Sequence, residues 1–307
     1  MKGIELSRGF YIEYGMPMLK KSFPELLDKI AVGLVGHGSE CFGFDDDISK
    51  DHDFSAGFCI WLPEEYEHEY GFKLSRAYSS LPNEYMGIVR LRQSGGYTGR
   101  GVMTIEDFYR RYTGNPGVPN SIKDWLYLPA QALAEAVNGE VFYDPLGKFT
   151  GIRNKIKAGM PEDVRLKRIA SLLFDTAQSG QYNFKRCLAH GEYGAAVIAL
   201  SKFMESYASV VCLINSVYPP YYKWLIRTAS LQPLLGAESN RLNTLQSLYG
   251  ESPEKCQTEI ELICKALINV LIEHGLCRPM GDFLEPYCYA VNDKIHTEWL
   301  RNMPVML

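Results

Sequence analysis

The sequence predicts an α+β protein, an N-terminal α/β domain with a mixed sheet followed by an all-helical bundle domain. Three observations carry this. Short apolar runs bounded by Gly, Pro and Asp recur as far as Tyr143, long helical patterns take over after Pro161, and 307 residues suffice for two cores. The boundary falls near residue 158, giving domains of 1–158 and 159–307.

Residues 4–20 place Ile4, Phe10, Tyr11, Tyr14 and Leu19 at helical spacing, which predicts an amphipathic helix. Pro24 opens a short turn, and Ile30–Val35 forms a buried strand. Phe54–Leu62 predicts a second strand, with Gly57 marking a bulge or a close backbone approach. Pro63-Glu64-Glu65 starts a helix running to about Ser80, with proline in the first turn and acids at the positive dipole end. Gly87–Gln93 and Gly101–Phe108 predict a hairpin around the glycine-rich SGGYTG. A helix over Ser121–Val137, a strand over Glu140–Tyr143 and a structural turn at Asp144-Pro145-Leu146-Gly147 complete this half. Helices follow over 162–178, 191–216, 219–232, 253–274 and 281–300, broken at Gly180, Pro219-Pro220, Pro233 and Pro253.

Composition narrows the function classes. A hydrophobic share of 46% with 22% charged residues describes a globular chain, neither fibrous nor disordered. The net charge of −4, with no long Lys/Arg run, argues against extended nucleic-acid or membrane-surface binding. The eight cysteines form no C-x-x-C pair, which predicts buried free thiols in a reducing compartment. The N-terminal segment has no uninterrupted apolar core of a secretory signal, and no stretch reaches the roughly 20 apolar residues that span a bilayer. The expectation is a cytoplasmic protein.

The chemistry concentrates in GLVGHGSECFGFDDDISKDHDF, where Gly38-Ser39 follows an apolar run and Asp51-His52-Asp53 comes twelve residues later. On a strand, Asp51 and Asp53 share one face and His52 takes the other. Two adjacent carboxylates repel unless a cation sits between them, and Mg²⁺ suits oxygen ligands shared with substrate phosphates. Gly38 permits close backbone approach, while Ser39 adds an N–H and a hydroxyl at the start of a short helix, a site suited to an anion. Metal and phosphate sites thus converge, which points to phosphoryl or nucleotidyl transfer.

That pattern resembles the signature of the DNA polymerase β-type nucleotidyltransferase superfamily, and most closely its kanamycin nucleotidyltransferase-like branch. GSECFGFDDDISKDHDF, with WLYLPAQALAEAVNGEVFYDPLGKFTGIR and PPYYKWL downstream, resembles more narrowly a bacterial group of uncharacterised nucleotidyltransferase-like proteins. The resemblance implies that Gly38 and Ser39 form the phosphate-binding turn and that Asp51 and Asp53 hold Mg²⁺, with Mn²⁺ the alternative ion. It implies transfer of NMP, with ATP the expected NTP, to a hydroxyl of a small-molecule or protein acceptor, with release of pyrophosphate. Active members of the superfamily usually use a third acid on a later strand. Glu106 is the candidate here, as metal ligand or base, with helix capping as its other reading. If Glu106 points away from Asp51 and Asp53, the competing function, nucleotide binding without turnover, gains.

The remaining candidates carry two readings each. Arg90 and Arg92 share a strand face, either to neutralise a triphosphate or as exposed arginines. Lys223, in Tyr221-Tyr222-Lys223-Trp224, either reaches the phosphates from the helical domain or belongs to a packed aromatic segment. Glu40, Asp45, Asp46 and Asp47 are expected to form a solvated acidic loop, and His37 a pocket wall. An EF-hand is disfavoured because Lys50 takes the loop position that requires glycine. His52-Asp53 also spells a metal-phosphohydrolase doublet, but the histidines at 37, 68, 190, 274 and 296 show no supporting motif.

Overall fold

A computed structural model describes residues 1–48, 55–90 and 99–307. The chain divides into two compact units, Met1–Ala158 and Gly159–Leu307. The fold is α+β, with a mixed four-stranded sheet in the first unit and a second unit whose described elements are helical.

The first unit opens with α1 (Gly3–Phe10), which runs through a π turn at Tyr11–Gly15 into α2 (Met16–Ser22). Pro17 has no N–H to return to the preceding turn, and the ladder widens so that the Met16 N–H reaches the Tyr11 carbonyl. A 3₁₀ turn at Pro24–Leu26 leads to β1 (Ala31–Leu34). Next come β2 (Cys59–Leu62) and a helical run from Glu64 that ends in α3 (Phe72–Ser79). A tight hairpin pairs β3 (Glu84–Tyr85) with β4 (Ile88–Val89). Then follow β5 (Gly101–Thr104), α4 (Ile105–Thr113), α5 (Ile122–Tyr127), α6 (Ala130–Val137), β6 (Glu140–Tyr143) and α7 (Lys148–Lys157).

The strand order is β5-β2-β1-β6. β1 is antiparallel to both β2 and β6, whereas β2 and β5 are parallel. Hence β2, β5 and β6 all run one way and β1 runs the other. Every residue of β1 and β2 is buried, because both sheet faces are covered. Ile60 and Leu62 join Leu6, Phe10, Leu19 and Leu74 on one side. Trp61 points to the other side, where its ring stacks on Phe149 at 4.0 Å between centroids.

Several expectations require correction. The second strand is confined to Cys59–Leu62, Ser55–Phe58 lie outside any strand, and Phe54 is outside the described residues. The hairpin lies at 84–89, where Met86 and Gly87 take the positive φ values of a tight reversal. Gly101–Thr104 instead pairs parallel with β2 and turns at once into a helix. Thr104 caps that helix by accepting from the Asp107 N–H at 2.9 Å, so the strand cannot continue to Phe108. The single helix expected over 121–137 is two helices, because Pro129 forces Leu128 into an extended conformation, ψ 135°.

In the second unit α8 (Glu162–Thr176) passes through a π segment at Ala177–Phe184 into α9 (Lys185–Ala189). Gly180 lies inside this helical run instead of breaking it. A Cβ there would sit 2.3 Å from the Phe203 ring, so glycine serves close packing. α10 (Tyr193–Ile214) packs on α8 and on α11 (Tyr222–Ser230). α12 (Gly236–Arg241), α13 (Leu245–Glu251), α14 (Pro253–Glu273), α15 (Glu285–Asn292) and α16 (Glu298–Asn302) complete the unit. α10 corrects the expectation that no stretch is long and apolar enough to cross a membrane. It is such a helix by length and composition, and 61% of its most apolar window is buried within the fold.

Polar side chains on α8 anchor the C-terminal segment. The fully buried Lys167 donates to Asn292 Oδ1 at 2.8 Å and to the Met303 carbonyl at 2.9 Å. Asp163 accepts from the N–H of His296 and from both the N–H and hydroxyl of Thr297, at 3.0, 2.8 and 2.6 Å. Burial alone would raise the Asp163 carboxyl, but these bonds outweigh it and hold the pKa below the ordinary carboxylate value.

Two predictions arise here. In Gly33→Ala the new Cβ would lie 2.4 Å from the Glu140 carbonyl and 2.9 Å from Val141 Cα, so β1 and β6 must separate. Urea denaturation is expected to show a loss of about 2 kcal/mol or more. Asp163→Asn weakens the anchoring of residues 296–297. Because the carboxyl pKa is depressed on folding, its stabilisation is present above about pH 5 and is lost as pH falls through the lowered value. Melting curves should therefore show parent and variant furthest apart near neutrality and converging in acid.

Candidate functional site

β1 delivers the chain into a turn, residues 36–44, in which backbone geometry dictates residue type. Gly36 and Gly38 both adopt φ +116°, a region that side chains rarely enter. A Cβ on Gly36 would also lie 2.5 Å from the Tyr112 hydroxyl, and one on Gly38 would lie 2.6–2.7 Å from the Glu40 carboxylate. Ser39–Phe42 then forms a single 3₁₀ turn, closed by the Cys41 N–H on the Gly38 carbonyl and the Phe44 N–H on the Ser39 carbonyl. Four residues are too few to build an appreciable macrodipole, which corrects that part of the expected anion site. What remains is a sharply folded turn in which Gly38 and Ser39 are half-buried.

The turn is held from three sides. Asn138 pairs with Gly36 twice, accepting from its N–H at 2.8 Å and donating to its carbonyl at 2.7 Å. Arg153 fixes Asn138 and Gly139 by donating to both carbonyls, and the Gly139 N–H reaches the Cys41 carbonyl at 2.7 Å. At the far end the Asp45 carboxylate accepts from the Gly3 N–H at 2.8 Å, with Lys2 beside it. Beneath the centre, Glu40 and Arg100 form a buried ion pair, 4% and 8% exposed as residues. The expectation of a solvated acidic loop is therefore wrong for Glu40 and Asp45, which are buried and paired, and holds for the exposed Asp46 and Asp47.

The strand directions decide which candidates meet. The turn follows β1 and so lies at the sheet edge where β2, β5 and β6 begin. Arg100, preceding β5, and Asn138, preceding β6, reach it for that reason. Glu106 follows the end of β5 and lies at the opposite edge, about 13 Å away for a four-residue strand. Its carboxylate is occupied there, accepting from the Glu64 N–H at 3.0 Å and pairing with Lys148 at 2.6 Å. Sequence left Glu106 between a strand acid and a helix-start residue. The structure sets it in the first turn of α4, where it ties together the starts of three helical elements.

Arg90 is structural too. Its buried guanidinium donates to the carbonyls of Tyr78, Leu81 and Pro82 at 3.0–3.2 Å and lies over the Phe10 and Tyr78 rings. It closes the end of α3 and follows the last residue of β4. Asp51, His52, Asp53, Lys50 and Arg92 lie outside the described residues. Lys223 belongs to the second unit, in the first turn of α11, with its ammonium 6.0 Å from the Trp224 ring centroid. His37 is exposed at the mouth of the turn, its Nδ1 3.7 Å from Glu135. Among the described residues no group of three His, Cys, Asp or Glu side chains is arranged to hold a metal.

Burial also silences the nearby thiols. The Cys41 thiol is pushed well up by burial and by Glu40, and the Cys59 thiol by burial to about 12. All eight cysteines are free, six of them buried.

Sequence reasoning missed Arg100, Asn138 and Arg153, and read Glu40 as solvated. Asn138-Gly139 is a turn dipeptide that could have flagged the support from β6. Nothing local distinguishes Glu40 from a surface acid.

A family model described as a domain of unknown function, DUF4037, matches residues 125–225. The matched stretch runs from α5 through the unit boundary into α11. It includes both downstream segments, WLYLPAQALAEAVNGEVFYDPLGKFTGIR and PPYYKWL, and begins after the Gly38-Ser39 turn. No curated protein matches the chain.

The role of Arg90 can be separated from ligand binding. Arg90→Met leaves three carbonyls without their donor, and unit stability should fall by about 3 kcal/mol. Affinity for Mg-ATP, measured calorimetrically on the folded variant, should stay within twofold of the parent.

Proposed function

We propose that the first unit binds an Mg-NTP, with ATP the expected nucleotide, at the Gly38-Ser39 turn and transfers its NMP to an acceptor hydroxyl. The observation that carries this reading is the turn itself. Its backbone folds into conformations reserved for glycine, at the same sheet edge as the start of β2. In the sequence, Asp51 and Asp53 precede β2. In this reading Ser39 and nearby backbone N–H groups hold the β and γ phosphates. Asp51 and Asp53 hold Mg²⁺, which when bound offsets phosphate charge. The acceptor oxygen bonds to the α-phosphorus and its hydroxyl proton passes to solvent water, while the bond to the bridging oxygen breaks and pyrophosphate leaves with the electron pair. In this reading the part of the helical unit is acceptor selection. The resemblance to nucleotidyltransferases supports the reaction type and leaves the acceptor open, a small molecule or a protein side chain.

Glu106 has no part in this chemistry, because its carboxylate is engaged at the far edge of the sheet. That observation favours a second reading, nucleotide binding without turnover.

The two are separated by incubation with α-labelled NTPs, Mg²⁺ and a panel of hydroxyl acceptors, alongside equilibrium binding of Mg-ATP. Transfer is expected in the parent and should be abolished in Asp53→Asn, while Glu106→Gln retains it. Binding without transfer to any acceptor would favour the second reading. Transfer unchanged in Asp53→Asn would remove the site assignment, and absence of Mg-ATP binding at millimolar concentration would remove both readings.

A further inference from the structure

The Glu40–Arg100 pair is expensive to bury. Taking a carboxylate and a guanidinium out of water costs several kcal/mol per ion, and a well-packed apolar pair often serves stability equally well. Its location suggests what it does instead. Glu40 is two residues after Gly38, and its carboxylate lies where a Cβ of Gly38 would stand. Arg100 crosses the sheet edge from the start of β5, its Cδ filling the space that a Gly57 Cβ would need, 2.7 Å away. Two glycines are thus required to let one ion pair pass beneath the turn. Asn138 and Gly139 hold the two flanks of residues 36–41, and Glu40 with Arg100 grips the centre.

We propose that Glu40 and Arg100 are positioning residues that fix the Gly38-Ser39 turn for a polyphosphate, an inference that rests on the nucleotide-binding reading above. Arg100 Nη2 donates a charge-assisted hydrogen bond to Glu40 Oε1, so Arg100 sets the orientation of Glu40. Glu40, packed on Gly38 Cα, in turn sets the direction in which the Ser39 N–H and hydroxyl point. The turn is thereby organised before the ligand arrives, which lowers the ordering cost of binding.

The test uses the full chain with Mg-ATP and AMP as probes, in the parent, Glu40→Gln, Arg100→Met and Arg100→Lys. Arg100→Met is expected to weaken Mg-ATP about tenfold or more, a charged hydrogen bond's worth, and AMP much less. Arg100→Lys keeps the charge without the planar guanidinium and should fall between Arg100→Met and the parent, so it also serves if Arg100→Met fails to fold. In Glu40→Gln the melting temperature should fall, because the buried guanidinium loses its counter-ion, and amide exchange should quicken more in residues 36–44 than in β2. Equal losses for Mg-ATP and AMP would mean a merely structural pair and overturn the proposal. So would binding of Mg-ATP within twofold of the parent in both arginine variants, which would leave the nucleotide-binding reading standing. A parent that binds no Mg-ATP removes that reading together with this one.

Discussion

β1 is inserted against the direction of both its neighbours, and this constraint sorts the first unit into two ends with different jobs. Because β2, β5 and β6 run together, whatever precedes them gathers at one edge, along with whatever follows β1. Whatever follows them gathers at the other. The first edge collects Gly36, Gly38, Glu40, Arg100 and Asn138. The second collects the starts of α4, α7 and the helical run at Glu64, pinned by Glu106 and Lys148. The central position of β1 also demands Gly33, since the Glu140 carbonyl comes close enough to exclude a side chain.

The two edges solve the same physical problem differently. Buried polar groups must be partnered, and at the helical edge the partners are helix N–H groups and one lysine, which leaves a closed, stabilising cluster. At the turn edge each partner is supplied by a different strand: Asn138 ahead of β6 for Gly36, and Arg100 ahead of β5 for Glu40. A turn supported from several strands is held rigidly, the kind of support that a binding site needs. The helical unit is organised by a comparable device, with Lys167 and Asp163 of α8 fastening residues 292–303 through neutral acceptors and backbone donors.

Where a local signal was strong, it could be read from the chain. Glu140–Tyr143 emerged with its expected bounds, Ala31–Leu34 lies within the expected strand, and Asp144 makes the capping turn before α7. The errors share a cause. The hairpin around SGGYTG, the strand through Phe108 and the helix across Pro129 each depended on which segment pairs with which, or on a cap competing with a neighbouring pattern. Thr104 and Asp107 carry a helix-start signal, but it directly follows a β-like segment that begins at Gly101. For the same reason sequence leaves Glu106 between strand and helix start, and Arg90 falls outside the strand expected to hold it because a helix end 11 residues upstream is invisible in sequence periodicity.

By itself the sequence determined the glycine-serine turn after a buried strand and the change from mixed to helical patterning after Pro161. It did so because both are local: torsional freedom at Gly38 and apolar periodicity are properties of a few consecutive residues. Only the tertiary structure decided which edge of the sheet each candidate occupies, that Glu106 and Arg90 are spent on helix ends, and that Glu40 and Arg100 meet beneath the turn. Those outcomes depend on strand direction and pairing. These are set by burial of the whole unit, and no short stretch of chain encodes them.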